Sequence, residues 1–196
     1  ATGSDSIAIG VRSDDRGARG NQSIAIGYLA GAISDYGTAL GASAEANEYS
    51  TALGTSTTAS STYSTAIGNN ANASNTDAVA IGSRGVTASG ESSVAIGSKA
   101  DAAITTASGS GSIAIGDGAV ATGDWSVALG TMTEAKGLNN VALGINACKG
   151  VTGSNKTCIG ADSGPSSSEA QASDNSNVVY IGTTSSTVYI PGNLVV

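Results

Sequence analysis

A short apolar step that ends in glycine recurs twelve times along the 196-residue chain. In most copies, two β-branched or long aliphatic residues flank an alanine just before the glycine. Successive glycines are 17, 14, 13, 14, 14, 15, 19, 14, 14, 16 and 22 residues apart, so the base period is fourteen. Such a period predicts a solenoid, with loops inserted in the longer intervals. The steps occupy residues 7–10, 24–27, 38–41, 51–54, 65–68, 79–82, 94–97, 113–116, 127–130, 141–144, 157–160 and 179–182.

The alternation within each period predicts two short strands per coil. In the first strand, Val94 and Ile96 point to one side and Ala95 points to the other. Small residues three and five positions past the glycine predict the second strand: Ala30 and Ala32, Ala44 and Ala46, Thr57 and Ala59, Ala71 and Ala73, Ala100 and Ala102, Ala119 and Ala121, Thr133 and Ala135. We predict that the bulky pair points inward against these small residues, in an all-β tube of parallel coils about 4.8 Å apart.

Composition then indicates self-association. The chain has no Phe, one Trp and one Met, so its core is thin and one copy buries little apolar surface. The remaining row of alanines is flat and uniform, and we predict that it faces outward and forms the interface of a homo-oligomer. This row comprises Ala8, Ala25, Ala39, Ala52, Ala66, Ala80, Ala95, Ala114, Ala128 and Ala142.

Charge narrows the choice of partner. The formal charge of −7 and the pI near 4.3 argue against nucleic acid or an anionic membrane surface. No apolar run approaches the roughly 18 residues of a membrane helix, so we expect no direct membrane insertion of this segment. No segment has the pattern of a signal peptide, and we expect the chain to be an excerpt of a longer fibre whose export signal and anchor lie outside it.

The residues give little support for catalysis. The chain contains no His, which excludes Ser-His and Cys-His pairs and histidine metal ligands. Acidic residues are scattered apart from Asp14 and Asp15, too few for a calcium site. We therefore expect no enzyme activity, no cofactor and no metal.

Aromatic side chains supply one candidate binding surface. Tyr36, Tyr49 and Tyr63 each lie five residues before their glycine in three consecutive coils, and Trp125 has the same position in a later coil. Equivalent positions of a solenoid lie in register, so the tyrosines predict a ladder along one edge. Such a ladder is suited to binding a sugar or a protein, and the alternative is that it only braces the fold.

The densest charge cluster supplies a second candidate. Arg12, Arg16 and Arg19 lie in the first long interval, beside Asp14 and Asp15. A loop at the end of the tube could contact a ligand, and the alternative is a solvated turn with weak ion pairs.

Cys148 and Cys158 are the only cysteines, and both fall within one 16-residue interval. In an exported protein an even pair indicates a disulfide. The alternative is a small buried thiol, because Cys158 replaces the usual alanine.

The repeats resemble a known family. The steps Ser93-Val94-Ala95-Ile96-Gly97 and Asn140-Val141-Ala142-Leu143-Gly144, together with the alanines three and five positions past the glycine in most coils, are similar to the head repeats of YadA-like trimeric autotransporter adhesins. The resemblance implies a left-handed parallel β-roll, with three copies side by side. It also implies a bacterial cell-surface fibre, anchored in the outer membrane, that binds host extracellular-matrix proteins, glycans or cell-surface receptors. We assign residues 1–160 to this head, and residues 161–196 to a Ser-rich loop and strands connecting to a following domain.

The sequence departs from the YadA-like pattern in two ways, which leaves other biological functions open. The basic neck motif that usually follows such heads is absent. Residues 177–196 instead resemble the connecting strands of trimeric phage tail fibres. A receptor-binding tail fibre and a passive spacer without a ligand are therefore the alternative functions.

Overall fold

The computed structural model describes residues 1–10, 16–151, 153–165, 177–183 and 185–187. These ranges contain strands and turns, with no helix and hence no helix that could span a membrane. The strands, in chain order, are β1 (Ile7–Ile9), β2 (Gly17–Ala18), β3 (Ile24–Ile26), β4 (Gly31–Ala32), β5 (Thr38–Leu40), β6 (Glu45–Ala46), β7 (Thr51–Leu53), β8 (Thr58–Ala59), β9 (Thr65–Ile67), β10 (Asn72–Ala73), β11 (Val79–Gly82), β12 (Thr87–Ala88), β13 (Val94–Gly97), β14 (Lys99–Ala100), β15 (Ala103–Ile104), β16 (Thr106–Ala107), β17 (Ile113–Ile115), β18 (Val120–Ala121), β19 (Val127–Leu129), β20 (Glu134–Ala135), β21 (Val141–Leu143), β22 (Lys156–Ile159) and β23 (Val178–Ile181).

Two parallel sheets form the walls of a β-solenoid. The first sheet has twelve strands in the order β1-β3-β5-β7-β9-β11-β13-β17-β19-β21-β22-β23, one from each apolar step. The second has nine strands in the order β2-β4-β6-β8-β10-β12-β16-β18-β20. Each coil with both walls contributes one strand to each sheet, which confirms the predicted two-strand coil and its period of about fourteen residues.

The register follows the sequence repeat. Thr51, Ala52 and Leu53 of β7 pair with Thr65, Ala66 and Ile67 of β9, and the other coils repeat this alignment. Insertions do not disturb it: across the 19-residue interval, β13 still pairs Val94 with Ile113. The inserted residues instead form a separate antiparallel hairpin, β14-β15.

The predicted orientation of the first strand is wrong. The alanines expected to face outward are fully buried inside the single chain, apart from the partly buried Ala8 of the first coil, so they cannot contact another copy. The buried residues are Ala25, Ala39, Ala52, Ala66, Ala80, Ala95, Ala114, Ala128 and Ala142. The flanking aliphatic residues point outward, because the inward positions of the facing second strands are already filled by Ala, Thr and Val86 and no space remains for a row of Ile and Leu side chains.

The second strands face inward as predicted in most coils. Ala44 and Ala46 are fully buried, and the corresponding pairs elsewhere repeat this. Ala100 and Ala102 are the exception, because they belong to the inserted hairpin and its turn. The buried Thr105 and Ala107 take their inward positions in that coil.

Small polar residues complete the interior. Serine four positions before the glycine is buried in several coils. Ser64 Oγ donates to the carbonyl of Ser61 at 2.6 Å, and three other buried serines at this position repeat the bond, whereas the hydroxyls of Ser112 and Ser126 do not. Thr57 similarly donates to the carbonyl of Gly54 at 2.9 Å. These bonds satisfy buried hydroxyls and fix the turns between the two walls.

Candidate functional site

One corner of every coil carries a residue in the left-handed backbone conformation. Tyr36, Tyr49 and Tyr63 have φ angles of 59°, 52° and 60°. Their backbone N–H groups donate to the preceding coil; that of Tyr49, for example, donates to Asp35 O at 3.1 Å. The corners therefore stack one above another, and we call this series of positions the corner row. Its members are Asp5, Gln22, Tyr36, Tyr49, Tyr63, Asp77, Ser92, Gly111, Trp125, Asn139, Asn155 and Asn177.

The tyrosines of the corner row form a stacked ladder. The ring centroids of Tyr36 and Tyr49 are 4.7 Å apart with planes inclined by 9°. Those of Tyr49 and Tyr63 are 5.2 Å apart and inclined by 24°. We call the three residues the tyrosine ladder. All three are exposed, so the ladder is a surface feature.

Carboxylates lie beside the tyrosine ladder. Asp35 and Glu48 directly precede Tyr36 and Tyr49. Partial desolvation between its neighbours raises the pKa of the Tyr49 phenol, and electrostatic repulsion from the adjacent tyrosine and carboxylate groups raises it further. The central ring therefore stays neutral at physiological pH, and the local charge comes from the carboxylates.

A shallow cleft of about 230 Å³ adjoins the ladder. Hydrogen bonds along it link successive coils: Ser34 Oγ donates to Asn47 Oδ1 at 3.2 Å, and Asn47 Nδ2 donates to Ser60 O at 2.6 Å. Glu48 is exposed at its wall. The cleft is lined by Ser34, Asn47, Glu48, Ser60, Ser61 and Thr62.

The structure separates Trp125 from the tyrosine ladder. Both belong to the corner row, but three coils intervene between Tyr63 and Trp125, which corresponds to about 19 Å. The indole lies on Gly111, where an added Cβ would approach Trp125 Cδ1 to 2.8 Å. Trp125 is therefore a separate exposed aromatic, not a fourth rung.

The arginine cluster is described only in part. Arg12 lies outside the described residues. Arg16 passes over the side-chain-free Gly31 and pairs with Glu45 across the second sheet, with Nη1 and Oε2 3.2 Å apart. Arg19 is exposed. A ligand-binding role for the three arginines stays a prediction.

Replacing all three ladder tyrosines by asparagine is expected to change the melting temperature by less than about 4 °C. Lost ring stacking is offset because Asn adopts the left-handed conformation more readily than Tyr, as Asn139 and Asn155 do at this corner with φ of 56° and 55°. Thermal unfolding followed by circular dichroism checks this. A much larger decrease would mean that the ladder mainly braces the fold.

The outer side of the first sheet carries a row of exposed aliphatic side chains. Ile7, Ile9, Leu40, Leu53, Ile115, Leu143, Ile159 and Ile181 are all exposed on its outer side. We call the outward positions flanking the buried alanines the apolar face. Twelve strands make this face about 53 Å long. The sequence identifies the aliphatic residues of this face, but only the structure shows that their side chains point outward.

A disulfide closes the last coils. Cys148 and Cys158 are fully buried and joined, with Cα atoms 5.5 Å apart. Cys158 occupies the inward alanine position of its strand, opposite Ala142. The bond thereby links β22 to the preceding turn, in a coil that no longer has a strand in the second sheet.

Substituting both Cys148 and Cys158 by alanine is expected to lower the free energy of unfolding of this end by about 2–3 kcal/mol. The loss stays local because each coil contacts mainly its neighbours. Hydrogen exchange should accelerate within residues 141–165 but not within 38–82. Intact mass before and after reduction checks the bond itself, and two free thiols in the native protein would contradict it.

Glu134 forms a charged contact near the disulfide. Its carboxylate lies 2.7 Å from Lys136 Nζ and accepts the Gly150 N–H at 2.8 Å. Partial burial alone would raise the pKa of Glu134. The hydrogen bonds and the charges of Lys136 and Lys149 outweigh it and lower the pKa.

Glu134→Gln is expected to reduce stability by less than about 1 kcal/mol at pH 7. A lowered folded-state pKa gives stability above the unfolded-state pKa, and this is lost as the pH falls through the folded-state pKa. The difference from the unsubstituted protein should therefore vanish in acid, in urea unfolding at a series of pH values. Glu48→Gln is the control, and a pH-independent difference would contradict the ion-pair explanation.

No metal-binding group is formed by the described side chains, since no three His, Cys, Asp or Glu residues converge there.

The geometry defines a class of protein. It is an elongated parallel β-solenoid that has one apolar wall, with loops and aromatic corners along its length. The profile of the YadA head domain repeat matches residues 1–13, 18–44, 46–71, 59–84, 87–103, 107–131 and 126–147. These matches span more than half of the chain, which belongs to the YadA head family. No curated protein matches the chain.

Proposed function

We propose that this chain is the head segment of a trimeric, surface-exposed fibrous adhesin, and that it attaches bacteria to host matrix proteins, glycans or cell-surface receptors without catalysis. Membership of the YadA head family supports this proposal. In it, residues 1–160 form a left-handed roll and residues 161–196 lead to a following domain. The segment lies outside the outer membrane, with its anchor elsewhere in the protein.

The exposed apolar face is the main observation that supports the proposed trimer. Soluble monomers rarely expose a continuous apolar surface of this length. Ile9 is 56% exposed and Leu143 is 45% exposed, although both lie in regular paired strands. Burying this face against two other copies covers it without changing any coil.

The opposite outward face gives a contrast within the same molecule. The second sheet places Glu45, Thr58, Asn72, Thr87 and Glu134 on its outer side, between buried alanines. These polar groups are hydrated or paired within the same copy, so they need no second copy to cover them. Only the first sheet therefore requires a cover, which orients the three rolls with their first sheets facing the common axis.

Sedimentation equilibrium of the purified chain tests the assembly. We expect a mass three times the 18.7 kDa of one chain at micromolar concentration. A single-chain mass in folded protein would overturn the trimer.

Three parallel copies would present each weak site three times, which raises the avidity of attachment through effective concentration.

Binding of the isolated trimer to arrays of matrix proteins, glycans and cells tests the adhesive role. We expect retention on at least one class, and weaker retention for a monomeric variant. Failure on all classes would favour a passive spacer.

A further inference from the structure

The tyrosine ladder has one open end. Tyr63 is 56% exposed, whereas the central Tyr49 is 45% exposed. Tyr36 also terminates the stack, yet it is only 43% exposed and so is covered as much as the central ring. The accessible ring face of the ladder is therefore the one that Tyr63 turns toward the next coil.

Asp77 follows Tyr63 in the corner row. The Asp77 N–H donates to Thr62 O at 3.2 Å, which stacks its corner directly on that of Tyr63. Asp77 is exposed, and its carboxylate takes part in no hydrogen bond or ion pair within the described part of the chain. Because its side chain is much shorter than tyrosine, it borders the open ring face without covering the outer part of the ring.

The surroundings are uniformly acidic. No Lys or Arg occurs from Gly20 to Ser83, whereas Asp35, Glu45, Glu48 and Asp77 all do. Of these four, Glu45 has the ion pair with Arg16. Asp35 accepts hydrogen bonds only from neutral donors, the backbone N–H and side-chain amide of Asn21, at 2.7 and 3.3 Å. Within the described part of the chain, Asp35, Glu48 and Asp77 form no ion pair with a Lys or Arg side chain.

This combination has the chemistry of a guanidinium site. A guanidinium offers five donors and no acceptor, stacks on aromatic faces and pairs with carboxylates. We infer that the Tyr63–Asp77 end of the ladder binds an arginine side chain of a basic partner segment, which continues along the cleft past Glu48. The inference rests on the proposed adhesive function for its biological setting, but the site lies wholly within one chain.

A neutral sugar fits the geometry less well. Sugar rings pack their C–H faces on open aromatic faces, and stacking occupies the faces between Tyr36, Tyr49 and Tyr63. The exposed ring edges carry partial positive charge, so a cation is directed to the single open face. The uncompensated carboxylates add an attraction that a neutral sugar cannot use.

Calorimetric titration of the whole chain with a short Gly/Ser peptide carrying two arginines tests the inference. The same peptide with citrulline keeps the shape but removes the charge, and we expect it not to bind. Tyr63→Asn and Asp77→Asn should each weaken binding of the arginine peptide about fivefold or more. Binding of the citrulline peptide with equal affinity would overturn the proposal.

Asp5→Asn is the matched control. Asp5 is an exposed aspartate of the same corner row with φ of 53°, close to the 56° of Asp77, but no aromatic precedes it. We expect it to change affinity by less than about twofold. Equal losses in Asp5→Asn and Asp77→Asn, or no loss in either, would show diffuse attraction and overturn the site. Melting curves establish that each variant is folded.

Two further readouts separate this site from the proposed function. Nitration mapped by mass spectrometry should modify Tyr63 faster than Tyr49 in the assembled protein, and protection of Tyr63 would overturn the inference. A glycan bound by the Asp77→Asn variant but not by Tyr63→Asn would do so as well. Sedimentation is scored independently, because a single-chain mass would refute the trimer while leaving peptide binding measurable.

Discussion

Substituting aspartate for both Ile67 and Ile81 is expected to abolish the trimer that we propose. The two residues lie in register on the apolar face, in β9 and β11. Burying one isoleucine contributes about 1.5–3 kcal/mol, and each substitution removes three copies at once. Charged replacements add a desolvation cost of several kcal/mol per ion at a covered interface. Sedimentation equilibrium should then give the mass of one chain.

The same charges on the second sheet provide the control. Thr58 and Thr87 are outward residues of β8 and β12, and Asp at both positions should leave the mass unchanged. If the Ile67→Asp/Ile81→Asp variant retains the full mass, the apolar face is not the interface. If the threonine variant dissociates equally, general charge repulsion is responsible instead.

Alanine in place of Gly54 is expected to destabilise the roll by about 3 kcal/mol or more. Gly54 has a φ of 135°, a region that L-residues rarely adopt. An added Cβ would also overlap the carbonyl oxygen of Gly68 in the next coil and lie 2.8 Å from its carbonyl carbon. Because that neighbour is backbone, relief requires displacement of the coil stack. Urea unfolding measures the loss.

Gly150→Ala separates backbone strain from coil stacking. Gly150 also has a positive φ, of 72°, but an added Cβ would meet no atom within 4 Å. The expected cost is only about 1–2 kcal/mol. Equal losses for the two variants would mean that the positive φ angle alone requires glycine at the end of each apolar step, and that the close approach of successive coils does not contribute.

The comparison of sequence with structure turns on the alternation itself. In the step from Val94 to Gly97, the pattern predicts that one face is bulky and one is small, and the structure has both. The alternation does not show, however, which of the two faces points into the solenoid and which points outward. Assigning the bulky side to the interior followed the usual rule for a single globular core, and here that rule gives the wrong answer.

The binding surface shows the same division. The spacing of Tyr36, Tyr49 and Tyr63 before their glycines was sufficient to predict a ladder in register. Whether the rings were stacked, exposed or open at one end depended on side-chain packing at the corner. The spacing also placed Trp125 in a later coil, apart from the tyrosines, whereas the packing of its indole on Gly111 was decided by the fold.

The sequence alone determined the period, the two-strand coil and the family, because these depend on local alternation and spacing along the chain. The tertiary structure decided which face is enclosed, because that depends on the width between the two walls. A coil of about fourteen residues leaves room inside for the side chain of Ala52 and not for that of Leu53. The aliphatic groups are consequently left on the surface, where only another molecule can cover them.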